Sequence, residues 1–361
     1  MIYHPLQTRL KLLFTKAGAN VTESILPDLL SFSYVDKETL ETDEISITLK
    51  DEKGKWAGTW KPNGGEVIKA YIQCGTTTRV ITKGRSLYCG KFYVDKQSVS
   101  GSPRIYSFSA VSVPLDKPIR KKKRTFKWVY STIRAIANDI AEQHGLEFIF
   151  DCEETVTIGE VEQYWESDLT FLMRLCEDAG YSLKVTDDKL VIFDQSAYEK
   201  KSPIMTITLG ESDILNWNFE SNQSEKYKSA KIVFFDPKGE AGGWNGETEK
   251  TVRDAETSLV EYIYNDPDAD DNGQEYVFKS RAESLDDARR KVKAKLRELN
   301  KRSITGSITM IGDTTLVSGV VIACKGFGSF DGNFIVEEAE HIVDGSGYTT
   351  GIALRRVNKN Y

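Results

Sequence analysis

Histidine is scarce in this chain: three in 361 residues, at His4, His144 and His341. They are scattered, and no H-E-x-x-H spacing brings two onto one helix face. His341 sits in a predicted strand beside Glu338 and Glu340. Successive strand residues point to opposite faces, so it reads as a structural histidine rather than a catalytic one. Cysteine is equally unhelpful to a chemist. There are five, an odd number, at Cys74, Cys89, Cys152, Cys176 and Cys324, and none forms a C-x-x-C pair. Free thiols in a reducing compartment are expected, not a disulfide framework or a zinc site. No run approaches the ~20 apolar residues of a membrane span. The opening MIYHPLQTRLKLLF is broken by Arg9 and Lys11, so it does not read as a signal peptide, and synthesis in the cytosol is expected. Positive charge is not in excess either: 48 Lys and Arg against 54 Asp and Glu give a net charge of −6. That balance argues against a dedicated nucleic-acid binder, which needs a basic face to neutralise phosphates. G-x-S-x-G and Walker loops are missing as well.

What is present is an ordinary globular composition, 40% hydrophobic and 28% charged, long enough for two or three domains. Residues 1–118 read as nearly all β. EISITLKD (44–51) alternates Ile45, Ile47 and Leu49 with polar neighbours, and VIKAYIQC, LYCGKFYVDKQSV and RIYSFSAVSV follow as strands. PNGG (62–65) and SGSP (100–103) supply turns. Then PLDKPIRKKKRT (114–125) joins two prolines to five consecutive basic residues, Arg120–Arg124, and reads as a linker or exposed loop. It could meet an acidic protein partner.

Residues 126 to about 200 are mixed. Val129, Ile133, Ile136, Ala137 and Ile140 fall on one helical face that ends at Gly145. LEFIFD is a short strand. A second helix starts at the N-cap Ser167, with Asp168 at the positive end of its dipole, and stops at Gly180. YSLKVTDDKLVIFD (181–194) predicts a hairpin. Strands return from about 205 as MTITLG, AKIVFFDP, SLVEYIYN and EYVFKS. One helix interrupts them at about 284–300, capped by Ser284, with Leu285, Ala288, Val292, Leu296 and Leu299 as its stripe. ITGSITMIG, LVSGVVIACKG, NFIVEEAEHIVD and YTTGIALRRV close the chain.

Two loops invite a ligand and are better read without one. Asp268-Ala-Asp270-Asp-Asn272-Gly273 matches the first half of a calcium loop, but position 12 is Lys279 where a bidentate Glu is needed. An acidic turn is expected. GFGSFDG (326–332) lacks G-x-G-x-x-G spacing and lies between strands, so no helix N-terminus receives a phosphate. Trp56, Trp60 and Trp244 either anchor an interface or fill the chain's own cores. From the residues alone the protein is multidomain and β-rich, and no catalytic, cofactor or metal residue is assigned.

The run WESDLTFLMRLCEDAGYSLKVTDDKLVIFD (165–194) resembles the E-S-D-x-x-F-L-x-R-L-x-E-x-x-G pattern of the phage late control gene D family. That family supplies baseplate hubs of contractile tails and is similar to the N-terminal half of type VI secretion spike proteins. GDTTLVSGVVIACKGFGSFDGNFIVEEAEHIVDGSGYTTGIALRRV (312–357) resembles the family's closing pattern, with Thr314 where many relatives have proline. LLSFSYVDKETLETDEISITLKDEKGKWAGTWKPNGGEVIKAYI (29–72) is similar to the opening barrel of Gram-positive phage and tailocin hubs. The resemblance implies a β-rich α+β fold: two tail-tube-like antiparallel β-barrels (1–118 and 205–361) and a small α/β accessory domain (119–204). It implies no enzyme, but a structural homotrimer that adapts a six-fold tail tube to a three-fold spike. The implied partners are the tube ring protein, the spike trimer, and the tape measure and baseplate wedge proteins, with no nucleic acid or membrane span. The location is a virion or tailocin particle. The alternatives are a tail-associated cell-wall hydrolase and a peptidoglycan-binding module.

Overall fold

Alternation builds most of this molecule. In the strand Glu44–Lys50 the side chains of Ile45, Ile47 and Leu49 are fully buried and their neighbours are not. One face therefore joins a core and the strand must pair on both edges. It does so between Leu29–Lys37 and Ile105–Val111. The structure, a computed structural model, describes residues 6–16, 19–20, 22–39, 42–76, 85–112, 118–153, 156–186, 188–222, 226–237, 239, 245–254, 256–267, 269, 273–279 and 282–358.

The pairing extends into one sheet of 13 strands. Its antiparallel path runs from Ile214–Ser221 through Ile304–Ile311, Gly347–Arg356 and Gly332–Asp344 to Leu29–Lys37. From there it continues through Glu44–Lys50, Ile105–Val111, Arg85–Ser100 and Val67–Thr76 to Leu6–Lys16. The first and last β regions of the sequence thus meet at one seam, where His341 lies opposite Tyr34. Two separate cores flank it. One packs Phe14, Phe32, Trp56, Phe92 and Tyr106; the other packs Phe219, Ile308, Phe334 and Leu354. Each such side chain contributes roughly 1.5–3 kcal/mol on burial.

Between them, residues 119–192 share a third core under the helices Ile133–Gln143 and Asp168–Ala179. The hairpin Ser182–Thr186/Lys189–Phe193 forms as expected and takes Glu147–Asp151 as a parallel neighbour. Ser167 caps its helix by accepting from Thr170 N at 3.2 Å, and Gly180 ends it at φ 76°. A side chain at Gly180 would also press within 3.1 Å of Ala294 Cβ, so glycine lets this helix end approach its neighbour.

Two expectations here need correction. The basic run is not a loop: Pro118–Lys121 is a short helix with Ile119 buried, and Lys123–Thr132 is a strand. Val129 belongs to that strand and is half exposed, because Thr132 caps the helix and Ile133 begins it. The strand partner, Thr157–Ser167, was not anticipated, and the two form an isolated ribbon.

Residues 227–300 also differ from expectation. AKIVFFDP, SLVEYIYN and EYVFKS are strands, but they pair with Glu249–Arg253 in a four-stranded sheet of their own rather than in the long ladder. The cause is the helix Leu285–Asn300: its Ala288, Val292 and Leu296 cover Ala230, Ile232, Val260 and Tyr262, and together they complete a fourth core. The strand Ile214–Ser221, unanticipated, lies at the end of the long ladder instead.

Candidate assembly interface

The residues singled out as possible chemistry are dispersed and mostly structural. His341 is fully buried at the seam, stacked on Tyr34, with its Nδ1 2.8 Å from the Tyr348 hydroxyl. Burial lowers its pKa to about 4, so it is neutral near pH 7. His144 ends its helix with Nε2 2.8 Å from Asp168 Oδ2. Asp168 also accepts from Arg124 Nε at 2.6 Å and Gln163 Nε2 at 2.9 Å. Burial pushes its carboxyl up, but those hydrogen bonds and the guanidinium charge win and hold it below the usual range. His4 lies outside the described residues.

All five cysteines are free thiols, and burial raises the Cys152 and Cys324 thiols to about 12. Neither is a ready nucleophile. Among the described residues no group of His, Cys, Asp and Glu is placed to hold a metal. Asp268 and 270–272 of the acidic loop, and Trp244, lie outside the described residues. GFGSFDG is a turn between strands, with the 3-10 segment Gly328–Phe330 inside it. Trp56 fills the first core and donates its indole N–H to Asp28 at 2.8 Å; Trp60 packs edge-on against it.

What the fold does concentrate is buried charge where its parts meet. Lys184, from the hairpin, donates to Asp36 Oδ1 at 2.7 Å and to Lys37 O at 2.6 Å, and lies 3.0 Å from Asp43. Ser318, beyond the seam, donates its N–H and hydroxyl to Asp36 at 2.8 Å each. Burial pushes the Asp43 carboxyl up while Lys184 pulls it down. Arg355, fully buried, joins Glu199, Glu337 at 3.1 Å and Glu38 at 3.6 Å. Glu199 also binds Arg297 of the helix Leu285–Asn300 at 2.6 Å. Asp188 accepts from Lys91 at 2.5 Å and Tyr93 at 3.0 Å. These contacts, between residues up to 282 positions apart, fix how the regions sit on one another. No sequence period could reveal them.

The outer surfaces carry the second feature. On the terminal strand Ile214–Ser221, Leu215 and Trp217 are 60% and 45% exposed although Trp217 stacks edge-on to Phe327. Their alternation with Asn216, Asn218 and Glu220 was a readable strand signal. At the other end of the ladder, an open groove of about 550 Å³ is lined by Leu10, Leu13 and Leu26 together with the polar Arg9, Lys11, Glu23 and Gln73. The ribbon exposes Tyr130, Tyr164 and Trp165. No helix among the described residues is long and apolar enough to cross a membrane. Buried ionic junctions that lock regions together, and exposed apolar side chains at open edges, are what an assembly component needs.

The comparisons agree. The family described as phage tail baseplate hub (GPD) matches residues 119–347, well over half of the chain. A probable baseplate hub protein of Escherichia phage P2 is 30% identical over 54% of this chain, a match spanning 49% of that protein. A probable baseplate hub protein of Escherichia phage 186 is 23% identical over 95% of this chain and 92% of its own length. Among solved structures, the 43 kDa tail protein of prophage MuSo2 from Shewanella oneidensis aligns with TM-score 0.70 at 12% identity, covering 96% of this chain and 98% of that one. An E. coli type VI secretion component aligns with TM-score 0.55 at 13% identity, over 99% of this chain and 78% of that one. The relatives are named for a structural role, not an enzymatic one. The chain belongs to the phage tail baseplate hub (GPD) family, a structural component of the phage tail.

Proposed function

We propose that the chain works as a homotrimer at the centre of the baseplate, adapting a six-fold tail tube to a three-fold spike. In this reading residues 1–118 and 205–361 each supply a tube-like β-barrel, and 119–204 is an accessory domain. The observation that carries it is the long ladder: two cores flank one seam, and the two ends of the ladder differ in character. Ile214–Ser221 presents Leu215 and Trp217, and Leu6–Lys16 borders a groove. Unlike edges favour head-to-tail contact, which closes into a ring when the rotation permits. Three copies with two barrels each would offer six similar surfaces to the tube ring protein and three-fold symmetry to the spike. Tape measure and wedge proteins are further partners in that reading, with assembly in the bacterial cytoplasm.

Light scattering of the purified chain, alone and with its spike, tests the stoichiometry. Three copies per complex are expected, together with a flat cell-wall turbidity assay. A chain that stays monomeric with its spike and clears cell-wall suspensions would overturn the proposal.

A further inference from the structure

The ribbon Lys123–Thr132/Thr157–Ser167 spends conformational energy to expose aromatic rings. Tyr130 and Trp165 both have positive φ, 47° and 50°. Bulky residues rarely adopt that region, and holding them there strains the backbone. Neither ring is buried in return: Tyr130 is 89% exposed, Trp165 66% and the adjacent Tyr164 74%. Residues 164 and 165 together oppose the single residue Thr125, a bulge of one extra residue that shifts the register between Gln163 and Glu166. The Trp165 N–H turns to Thr125 Oγ1 at 3.3 Å instead.

The platform beneath is fixed. Trp128 stacks on Phe171 with centroids 6.3 Å apart, and Phe126 packs against Trp128 at 4.8 Å. The rings are therefore held outward by an anchored strand.

Charge says what should meet them. The acidic groups along the ribbon and at its junction with the helix have cations already: Glu160 pairs with Lys127 at 2.6 Å, Glu166 with Arg174 at 2.6 Å and Asp168 with Arg124 at 2.6 Å. Glu162, exposed, is the remaining carboxylate of the ribbon. Lys121, Lys122 and Lys123 are all exposed and make no ion pair among the described residues. Lys123 lies opposite Ser167, two positions from Trp165. An aromatic bulge bordered by three exposed ammonium groups complements a protein surface rich in Asp and Glu that also offers apolar contact. Tyrosine and tryptophan are the residue types that dominate such interfaces. The whole chain's net charge of −6 disfavours nucleic acid as the occupant.

We infer that this ribbon is a docking surface for an acidic segment of another protein of the baseplate, with Tyr130, Tyr164 and Trp165 as anchors and Lys121–Lys123 as the charged rim. This rests on membership of a baseplate and not on the trimeric arrangement, so stoichiometry by light scattering and the test below fail independently.

The test places the photo-crosslinking residue p-benzoylphenylalanine at position 164 in assembled tail particles, with position 235 as the exposed control. After irradiation, adducts are identified by mass spectrometry. The expected result is an adduct to one other tail protein, in a peptide where Asp and Glu outnumber Lys and Arg. Combining Lys121→Glu, Lys122→Glu and Lys123→Glu should reduce it roughly tenfold. The free variant is first shown to melt as the parent does, and the corresponding Gln variant replaces it if it does not. An adduct to a second copy of this chain, to DNA or to lipid overturns the inference. So does an adduct no stronger than the control, or one indifferent to the charge change.

Discussion

The seam and the ribbon are both antiparallel strand pairs rich in aromatic residues, yet they treat those residues oppositely. At the seam Tyr34 and Tyr348 are 5% and 8% exposed and enclose His341; on the ribbon Tyr130 and Tyr164 are 89% and 74% exposed. The difference lies in what surrounds each pair. Leu29–Lys37 and Gly332–Asp344 have paired neighbours on both sides, so alternate side chains face a continuous core. The ribbon has two strands, two open edges and a bulge of one extra residue, so a ring there has little to pack against. Stability should therefore concentrate at the seam, and contact with other proteins at the ribbon.

The largest test of that contrast is Arg355→Leu. Arg355 reaches Glu38, Glu199 and Glu337 beside the seam with no exposure of its own. Its removal leaves Glu38 without its ion-pair partner, while Glu199 keeps Arg297 and Glu337 keeps Arg302, and should cost about 3–5 kcal/mol. Urea unfolding followed by circular dichroism reads this directly. A midpoint equal to the parent's would mean that the ladder holds without its ionic junction.

Lys184→Met should cost somewhat less, about 3 kcal/mol at neutral pH, because Asp36 and Asp43 lose their shared cation. Burial already raises the Asp43 carboxyl, and without Lys184 it rises further. The variant's penalty should accordingly shrink as pH falls and Asp43 takes up a proton. Unfolding midpoints at pH 7 and pH 5 test the sign; a penalty that grows in acid contradicts it.

These junctions mark the limit of what the sequence could tell. Local signals were legible: the cap at Ser167, the stop at Gly180, the cap at Ser284 and the alternation of Ile45, Ile47 and Leu49 all stand where expected. Leu215, Trp217 and Phe219 alternate just as clearly with Asn216, Asn218 and Glu220. Thr157–Ser167 could hardly have been found, since only Gln163 and Ser167 of it are buried and its apolar residues follow no period. Val129 matched a helical stripe by chance, and the Thr132 cap overrode it. Lys184 and Asp36, 148 residues apart, have no sequence relation at all.

His341 gives the next effect. Its folded pKa is lowered to about 4 from 6.5 by burial, so the unfolded chain binds a proton that the folded chain refuses. Its contribution is complete above pH 6.5 and is lost as pH falls toward 4, about 3 kcal/mol over that interval. His341→Phe should flatten this part of the stability–pH curve. It should also cost about 1 kcal/mol at pH 7, by removing the buried hydrogen bond between His341 and the Tyr348 hydroxyl. An unchanged acid slope would locate the acid sensitivity elsewhere.

The smallest effect is expected on the ribbon, and it is the most informative about the contrast. Tyr130→Gly and Trp165→Gly remove large rings, which at the seam would cost about 3–5 kcal/mol each. Here glycine relieves a left-handed backbone worth roughly 1–2 kcal/mol while giving up about 0.5–1 kcal/mol of chain entropy, and the rings bury little. The two contributions nearly cancel, so the melting temperature of the free protein should hold or rise slightly. A fall in stability comparable to a core truncation would show that these rings pack within the chain after all. The contrast with the seam, and the docking surface inferred from it, would then both fail.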